Sequence, residues 1–175
     1  MWRTIAVLVV GLALVLGAIV VVFFVGMRTG SPLVRDVVRR FNRGFGNPHQ
    51  MKTAGTPGAY ASVIRHVGRT TGRSYETPVV PFATEDGFVI ALPYGSNTDW
   101  LKNVIATGSA TIVHEGNTYR VDQPELVPTA VAAPYMPDKE QRSLRRFDIA
   151  ECLRIRCVVE EEVSQPGSTR ALRST

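Results

Sequence analysis

Ala61-Ser62-Val63-Ile64-Arg65-His66-Val67-Gly68-Arg69-Thr70-Thr71-Gly72-Arg73-Ser74-Tyr75-Glu76-Thr77-Pro78-Val79-Val80-Pro81-Phe82 is the stretch that decides the fold. A β-branched run that starts near Tyr60 and ends at Val67 is followed by a turn-rich segment, Gly68 to Arg73. A second β-prone run, Tyr75 to Phe82, comes next, so the whole stretch reads as a strand hairpin. Pro78 and Pro81 cannot donate to a sheet ladder, which assigns the second strand to an edge or to a bulge.

Working outward, Glu85-Asp86-Gly87 is a turn into the strand Phe88 to Leu92, which ends at Pro93-Tyr94-Gly95-Ser96. Asn97-Thr98-Asp99 supplies capping residues for a short helix, Trp100 to Ala106, and Gly108 closes it. Ala110 to His114 and Thr118 to Asp122 flank Glu115-Gly116-Asn117 as a second hairpin. A helix around Thr129 to Pro134 or beyond is interrupted by Pro134 and Pro137. Leu153 to Val159 reads as the last strand, and the tail from Ser164 is polar. Six short, mostly locally joined strands with two small helices predict a mainly β domain, a small closed or split antiparallel barrel rather than a parallel α/β sheet. Cys152 and Cys157, five apart in one strand, point to opposite faces, which predicts free thiols rather than a disulfide or a metal pair.

Preceding all this, the segment from Thr4 to Met27 carries no charge and is almost wholly aliphatic. At about 1.5 Å per residue it covers a hydrocarbon core of about 30 Å. A cleaved signal peptide has a shorter apolar region, about 7–15 residues, and a small-residue cleavage site, which Phe23-Phe24-Val25-Gly26-Met27 does not offer. The expectation is a single transmembrane helix in a cell membrane. Arg3 alone precedes it, whereas Arg28, Arg35, Arg39, Arg40 and Arg43 follow, offset only by Asp36, which predicts a cytoplasmic C-terminal domain. Leu33, Val34, Val37, Val38 and Phe41 interleave with those arginines, so Pro32 to Phe45 is either an amphipathic helix on anionic headgroups or a solvated juxtamembrane helix. The expected organisation is residues 1–30 as anchor, 31–58 as basic juxtamembrane helix and linker, 59–163 as the barrel and 164–175 as a flexible tail. Much of the net charge of +5 sits beside the anchor, where lipid is the nearer anion, and no nucleic-acid motif is present.

The sequence contains no G-x-S-x-G, H-E-x-x-H, Walker loop or G-x-G-x-x-G, and His49, His66 and His114 are not at metal-ligand spacing. An enzyme built on this chain therefore needs a borrowed cofactor. Gly68-Arg69-Thr70-Thr71-Gly72-Arg73 gathers guanidiniums, hydroxyls and glycines at one turn, which suits an anionic phosphate; a solvated turn is the other reading. Between Tyr94 and Asn103 a strand end feeds a helix start. Tyr94 and Trp100 are placed to wall a ring system, and helix N-terminal amides and Asn103 to hydrogen-bond a ring carbonyl or a phosphate; alternatively Trp100 plugs the barrel mouth.

Taken in order, His66 to Arg73, Thr77-Pro78-Val79, Gly87 to Ile90, Tyr94-Gly95 and Asp99 to Asn103 resemble the deazaflavin-dependent nitroreductase family, over about Tyr60 to Val127. The resemblance implies a split β-barrel, related to the FMN-binding barrels, that binds reduced coenzyme F420 as a hydride donor. It implies that Arg69, Thr70, Thr71, Gly72 and Arg73 gather the phosphate and acidic tail. It further implies that Thr77, Pro78, Val79, Tyr94 and Gly95 line the deazaflavin ring and that Trp100 and Asn103 support the pocket. No catalytic residue follows from it beyond a guess at Tyr135 as proton donor, and homodimer formation is implied by analogy alone.

Two positions depart from the family pattern. Thr70 stands where a Lys or Arg commonly follows the first Arg, and Tyr75 stands at a later cationic position; both changes remove positive charge from the tail site, and Arg73 is the available replacement. Related branches bind flavin, haem or lipid. The leading expectation is a membrane-anchored oxidoreductase that passes a hydride from F420 to a lipophilic acceptor such as a quinone or nitro compound. The alternative is a non-catalytic module that binds a lipid, haem or FMN at the bilayer.

Overall fold

The computed structural model describes residues 2–29, 31–41 and 47–158. Arg43 and the tail from Ser164 lie outside them, as does Val159 at the end of the expected last strand. The first helix, α1, spans Trp2–Arg28. Its segment Thr4–Gly26 is long and apolar enough to cross a membrane, and the most apolar 18-residue stretch of it is unburied. A turn closed by Ser31 N–H donating to the Gly26 carbonyl (2.8 Å) leads into α2, Pro32–Phe41. Val34 of α2 occupies the space that a side chain on Gly26 would need, so the chain folds back closely at the end of α1.

After the short α3, Asn47–Gln50, the chain reaches seven strands: β1 Ser62–Val67, β2 Ser74–Val79, β3 Pro81–Ala83, β4 Gly87–Ala91, β5 Ser109–His114, β6 Asn117–Pro128 and β7 Glu151–Cys157. They form one sheet in the order β2-β1-β5-β6-β7-β4-β3, antiparallel at every pairing. β2 and β3 are the two outermost strands, yet only Val80 separates them in the chain. One residue spans about 3.5 Å, so the two edges must lie side by side and the sheet must curl into a half-barrel. Pro78 and Pro81 flank the junction and offer no N–H there, and β2 and β3 are not paired with each other. The mainly β split-barrel architecture expected from the sequence is what the chain adopts.

The count of six strands is corrected to seven. The run from Tyr75 to Phe82 is two strands, β2 paired with β1 and β3 paired with β4, because the edge-to-edge crossing at Val80 falls inside it. β6 also runs on to Pro128, past an irregularity between Asp122 and Glu125 where Gln123 takes φ 51°. The β5–β6 hairpin closes through Glu115 and Gly116, both at positive φ.

Two apolar clusters lie on opposite faces of the sheet. Ile64, Phe88, Ile90, Ile112, Val121, Leu153 and Ile155 fill the inside, where Leu101 and Val104 of α4 (Asp99–Thr107) plug one end. Val89, Val127 and Cys152 face the other way, against α5 (Thr129–Ala132), Met136 and Leu144 of α6 (Asp138–Arg146). The alternation of Phe88, Val89 and Ile90 between the clusters is the strand period of two made visible. Cys152 belongs to the outer cluster and Cys157 packs on the inner one; both thiols are free, as their spacing predicts.

α6 was not foreseen, since the proline-interrupted helix after Thr129 ends in a 3-10 turn at Ala133–Tyr135 and a new helix begins after Pro137. Within the expected linker, residues 47–58 are hydrogen-bonded to the barrel. Gly55 N–H donates to the Ala61 carbonyl (2.8 Å), Gly116 N–H to the Gly55 carbonyl (2.6 Å) and Gly58 N–H to Glu115 Oε2 (2.8 Å).

Candidate functional site

The β1–β2 turn, the start of α4 and the end of β4 enclose a cleft of about 540 Å³. Beside it is a second chamber of about 340 Å³, and Asn47, Pro78, Tyr94, Thr98 and Trp100 line both. Of the residues expected at the site, Arg69, Thr70, Thr71, Thr77, Pro78, Tyr94, Trp100 and Asn103 line the cleft, while Val79 and Gly95 line the second chamber. Gly72 and Arg73 line neither. Tyr135, an exposed residue of the 3-10 turn, also lies outside both linings.

Local geometry explains how the turn is held. Gly68 N–H donates to the Arg73 carbonyl and Gly72 N–H to the Gly68 carbonyl, both at 2.8 Å, with Gly72 at φ 66°. Thr71 Oγ1 sits 3.1 Å from the Tyr75 hydroxyl, and a Cβ on Gly68 would come within 2.7 Å of the Tyr75 ring, so glycine is needed there. Thr71 is therefore occupied in bracing the turn.

Arg69 is turned inward. Its Nη1 donates to Asn103 Oδ1 (2.8 Å) and to the Asp99 carbonyl (3.4 Å), and its Nη2 lies 3.3 Å from Asp99 Oδ1. Its backbone N–H also donates to Asn103 Oδ1 (3.2 Å). The guanidinium thus straps the turn to α4, and Asp99 already neutralises part of its charge.

Behind this strap lies His66, which is 6% exposed. Asn103 Nδ2 is 3.2 Å from its Nδ1, Thr77 Oγ1 is 3.2 Å from its Nε2, and the Tyr75 ring stacks on it at 5.8 Å between centroids. Burial pushes the imidazole pKa below its ordinary value, which favours the uncharged ring. Sequence spacing placed His66 only as a histidine outside any metal-ligand pattern. Its alternation with Ile64 on one face of β1 was the signal that it points inward.

Thr98 is the second residue missed as part of the site. It takes the N-cap position of α4, as expected of the Asn97-Thr98-Asp99 stretch, yet its hydroxyl makes no cap hydrogen bond. Oγ1 is buried without any partner, and the residue borders both chambers at a helix N-terminus. A ligand oxygen placed there satisfies the hydroxyl and the first-turn N–H groups together.

These features bear directly on whether a deazaflavin fits. An aromatic and prolyl slot at Pro78, Tyr94 and Trp100, with donors at the start of α4, suits a flat ring system and one phosphate or ring carbonyl. An acidic tail is served less well. Arg69 is the one cation among the described residues that line the two chambers, against the carboxylates of Glu76, Asp99 and Glu140. Glu76 is held by Arg65 (2.8 Å) on the outer side of the hairpin. Arg73, on the same turn as Arg69, lies outside the lining.

No protein-family model matches the sequence, and no curated protein matches it. Among solved structures, one described as an F420 reductase is similar at 12% identity and a TM-score of 0.41, over 62% of this chain and 92% of that one. Another, described as a domain-swapped dimer, is similar at 10% identity and a TM-score of 0.39, over 69% of this chain and 97% of that one.

Proposed function

We propose that the chain is a membrane-anchored oxidoreductase that uses reduced coenzyme F420 to reduce a lipophilic acceptor, a quinone or a nitro compound, at the cytoplasmic face. The observation that carries this reading is convergence: of the segments picked out by the family resemblance, those around Arg69, Thr77, Tyr94 and Trp100 meet at one cleft, and Val79, Ile90 and Gly95 line the mainly apolar chamber beside it. In this role Pro78, Tyr94 and Trp100 hold the ring, Thr98 and the α4 N-terminus bind an oxygen of it or its phosphate, and Arg69 and Thr70 border the phosphate. The bound coenzyme would supply a hydride, and solvent the one proton that with it turns a quinone into a quinol. The chain's own contribution is to orient the ring, keep water from it and present the second chamber to the acceptor. Pairing of two copies belongs to the same reading and is decided by light scattering of the detergent-solubilised chain.

Fluorescence titration with F420, followed by oxidation of the reduced coenzyme in the presence of menaquinone, tests the proposal. Saturable quenching and acceptor-dependent oxidation are expected. Absence of both would defeat it. The scarcity of cations in the cleft favours one competing reading, a non-catalytic module for a lipid, haem or FMN. Mass spectrometry of the small molecule that co-purifies with the native protein separates the two, since deazaflavin is expected under the first and lipid, haem or flavin under the second.

A further inference from the structure

We propose that α6 is an interfacial helix whose basic face rests on anionic phospholipid headgroups and seats the second chamber at the bilayer surface. This rests on α1 lying in the bilayer, as in the function proposed above. Phe24 lies two residues before the end of the apolar span, about 3 Å from it along the helix axis. Phe147, just after α6, stacks on Phe24 with centroids 5.7 Å apart and planes 15° from parallel. The Arg146 guanidinium lies 5.1 Å from the centroid of the same ring. These contacts fix the C-terminal end of α6 at the depth where an apolar span gives way to headgroups, the level that aromatic and arginine side chains favour.

From that point the exposed charge on α6 is mainly positive, with Asp138 in the first turn as the one carboxylate on the same side. Lys139, Arg142, Arg145 and Arg146 are exposed and fall at i, i+3, i+6 and i+7, a single stripe along the helix. Lys139, Arg142 and Arg145 make no ion pair among the described residues. Arg145 and Arg146 complement the helix C-terminus, but Lys139 in the first turn opposes the dipole and has no such reason to be there. Glu140, Ser143 and Leu144 form a separate stripe at i, i+3 and i+4, and all three line the second chamber. One helix therefore carries a headgroup-facing surface and a wall of the apolar chamber, which brings that chamber close to a lipid-dissolved molecule.

The test uses the full chain in nanodiscs of phosphatidylcholine and phosphatidylglycerol, with photoreactive phosphatidylglycerol bearing the reactive group on its headgroup, and a second probe bearing it on the acyl chain. The headgroup probe is expected to label the peptide containing α6, and the acyl probe to label α1. Arg142→Glu with Arg145→Glu is expected to cut headgroup labelling of α6 about fivefold or more while α1 labelling stays constant. Acyl labelling of α1 without headgroup labelling of α6 overturns the inference alone. Labelling of neither overturns the anchor as well. Equal α6 labelling in wild type and the double variant shows that charge does not seat the helix and also overturns it.

Discussion

The side-chain amide of Asn103 lies 3.2 Å from Nδ1 of His66, and Arg69 fixes the direction of that bond. Arg69 offers only donors, through its backbone N–H and its Nη1, so the Asn103 oxygen must face it and the amide nitrogen must face the histidine. The histidine Nδ1 is then the acceptor, its proton sits on Nε2, and Nε2–H donates to Thr77 Oγ1. One tautomer of one buried ring thereby ties the β1–β2 turn, β2 and α4 into a single unit around the cleft.

Asn103→Leu removes both ends of this chain at once. It strands the Arg69 N–H and the His66 Nδ1 in a buried place, at a cost of about 1–3 kcal/mol. Urea melts should show the loss in midpoint with little change in slope, whereas Asn103→Asp, which accepts from Arg69 and from Nδ1–H of the other tautomer, should recover part of it. A wild-type midpoint for Asn103→Leu would show that the chain contributes nothing to holding the site.

Acid should loosen the same unit. The folded His66 pKa lies below its ordinary value of 6.5 because burial disfavours the cation, so between the two values the unfolded chain binds more protons than the folded one. Stability from this group is fully present above about 6.5 and is lost as pH falls through that value toward the folded pKa. Thermal melts from neutral to acid pH should show a decline that His66→Gln flattens, and the imidazole proton resonance should titrate below 6.5.

Much of this architecture was legible because turn chemistry brackets each strand: Gly68 to Arg73, Asp86-Gly87 and Glu115-Gly116 all lie where the chain reverses. What escaped was long-range. Pro78 and Pro81 marked an edge or a bulge, but not a step from one sheet edge to the other at Val80, so β2 and β3 read as one strand. α6 buries only Leu144 and has no apolar period to read, although Pro137 before it, Asp138 and Glu140 in its first turn and Arg145 and Arg146 in its last were start and stop signals. At the site, residue type identified the turn and α4 but not how they engage. That Arg69 is spent on Asp99 and Asn103, rather than left open, depends on the packing of α4 against β1.

Arg69 and Asp99 make opposite predictions for an anionic ligand. Arg69→Ala removes the one cation that lines the cleft among the described residues and should weaken binding of F420 by about 1.5–3 kcal/mol. Asp99→Asn removes the carboxylate that competes for the guanidinium and should tighten it, by about 0.5–1 kcal/mol since the pair is partly exposed. Titrations of both single variants and the double variant check the pair. If Asp99→Asn weakens binding, the arginine serves the ligand only through its present geometry.

Because the cleft is poor in free cations, an acidic tail should add little. A deazaflavin shortened to its ring, side chain and phosphate is expected to bind within about 1 kcal/mol of the full coenzyme, with a shallow dependence on salt. Calorimetry at two ionic strengths reads both quantities. A steep salt dependence with the full coenzyme would mean that Arg73 or other cations outside the lining reach the tail.

Thr98→Val separates stability from binding. The hydroxyl is buried with no partner, so it costs the folded chain desolvation that a methyl of the same shape does not. The variant should therefore be as stable as wild type or more so, by about 1 kcal/mol, whereas most buried substitutions destabilise. If that hydroxyl is kept to meet a ligand oxygen at the start of α4, affinity for F420 should fall by about 0.5–1.5 kcal/mol at the same time. A threonine kept only as a structural cap predicts the reverse, lost stability with unchanged affinity. Melting and titration of one variant thus decide whether the end of α4 was built for the fold or for the ligand.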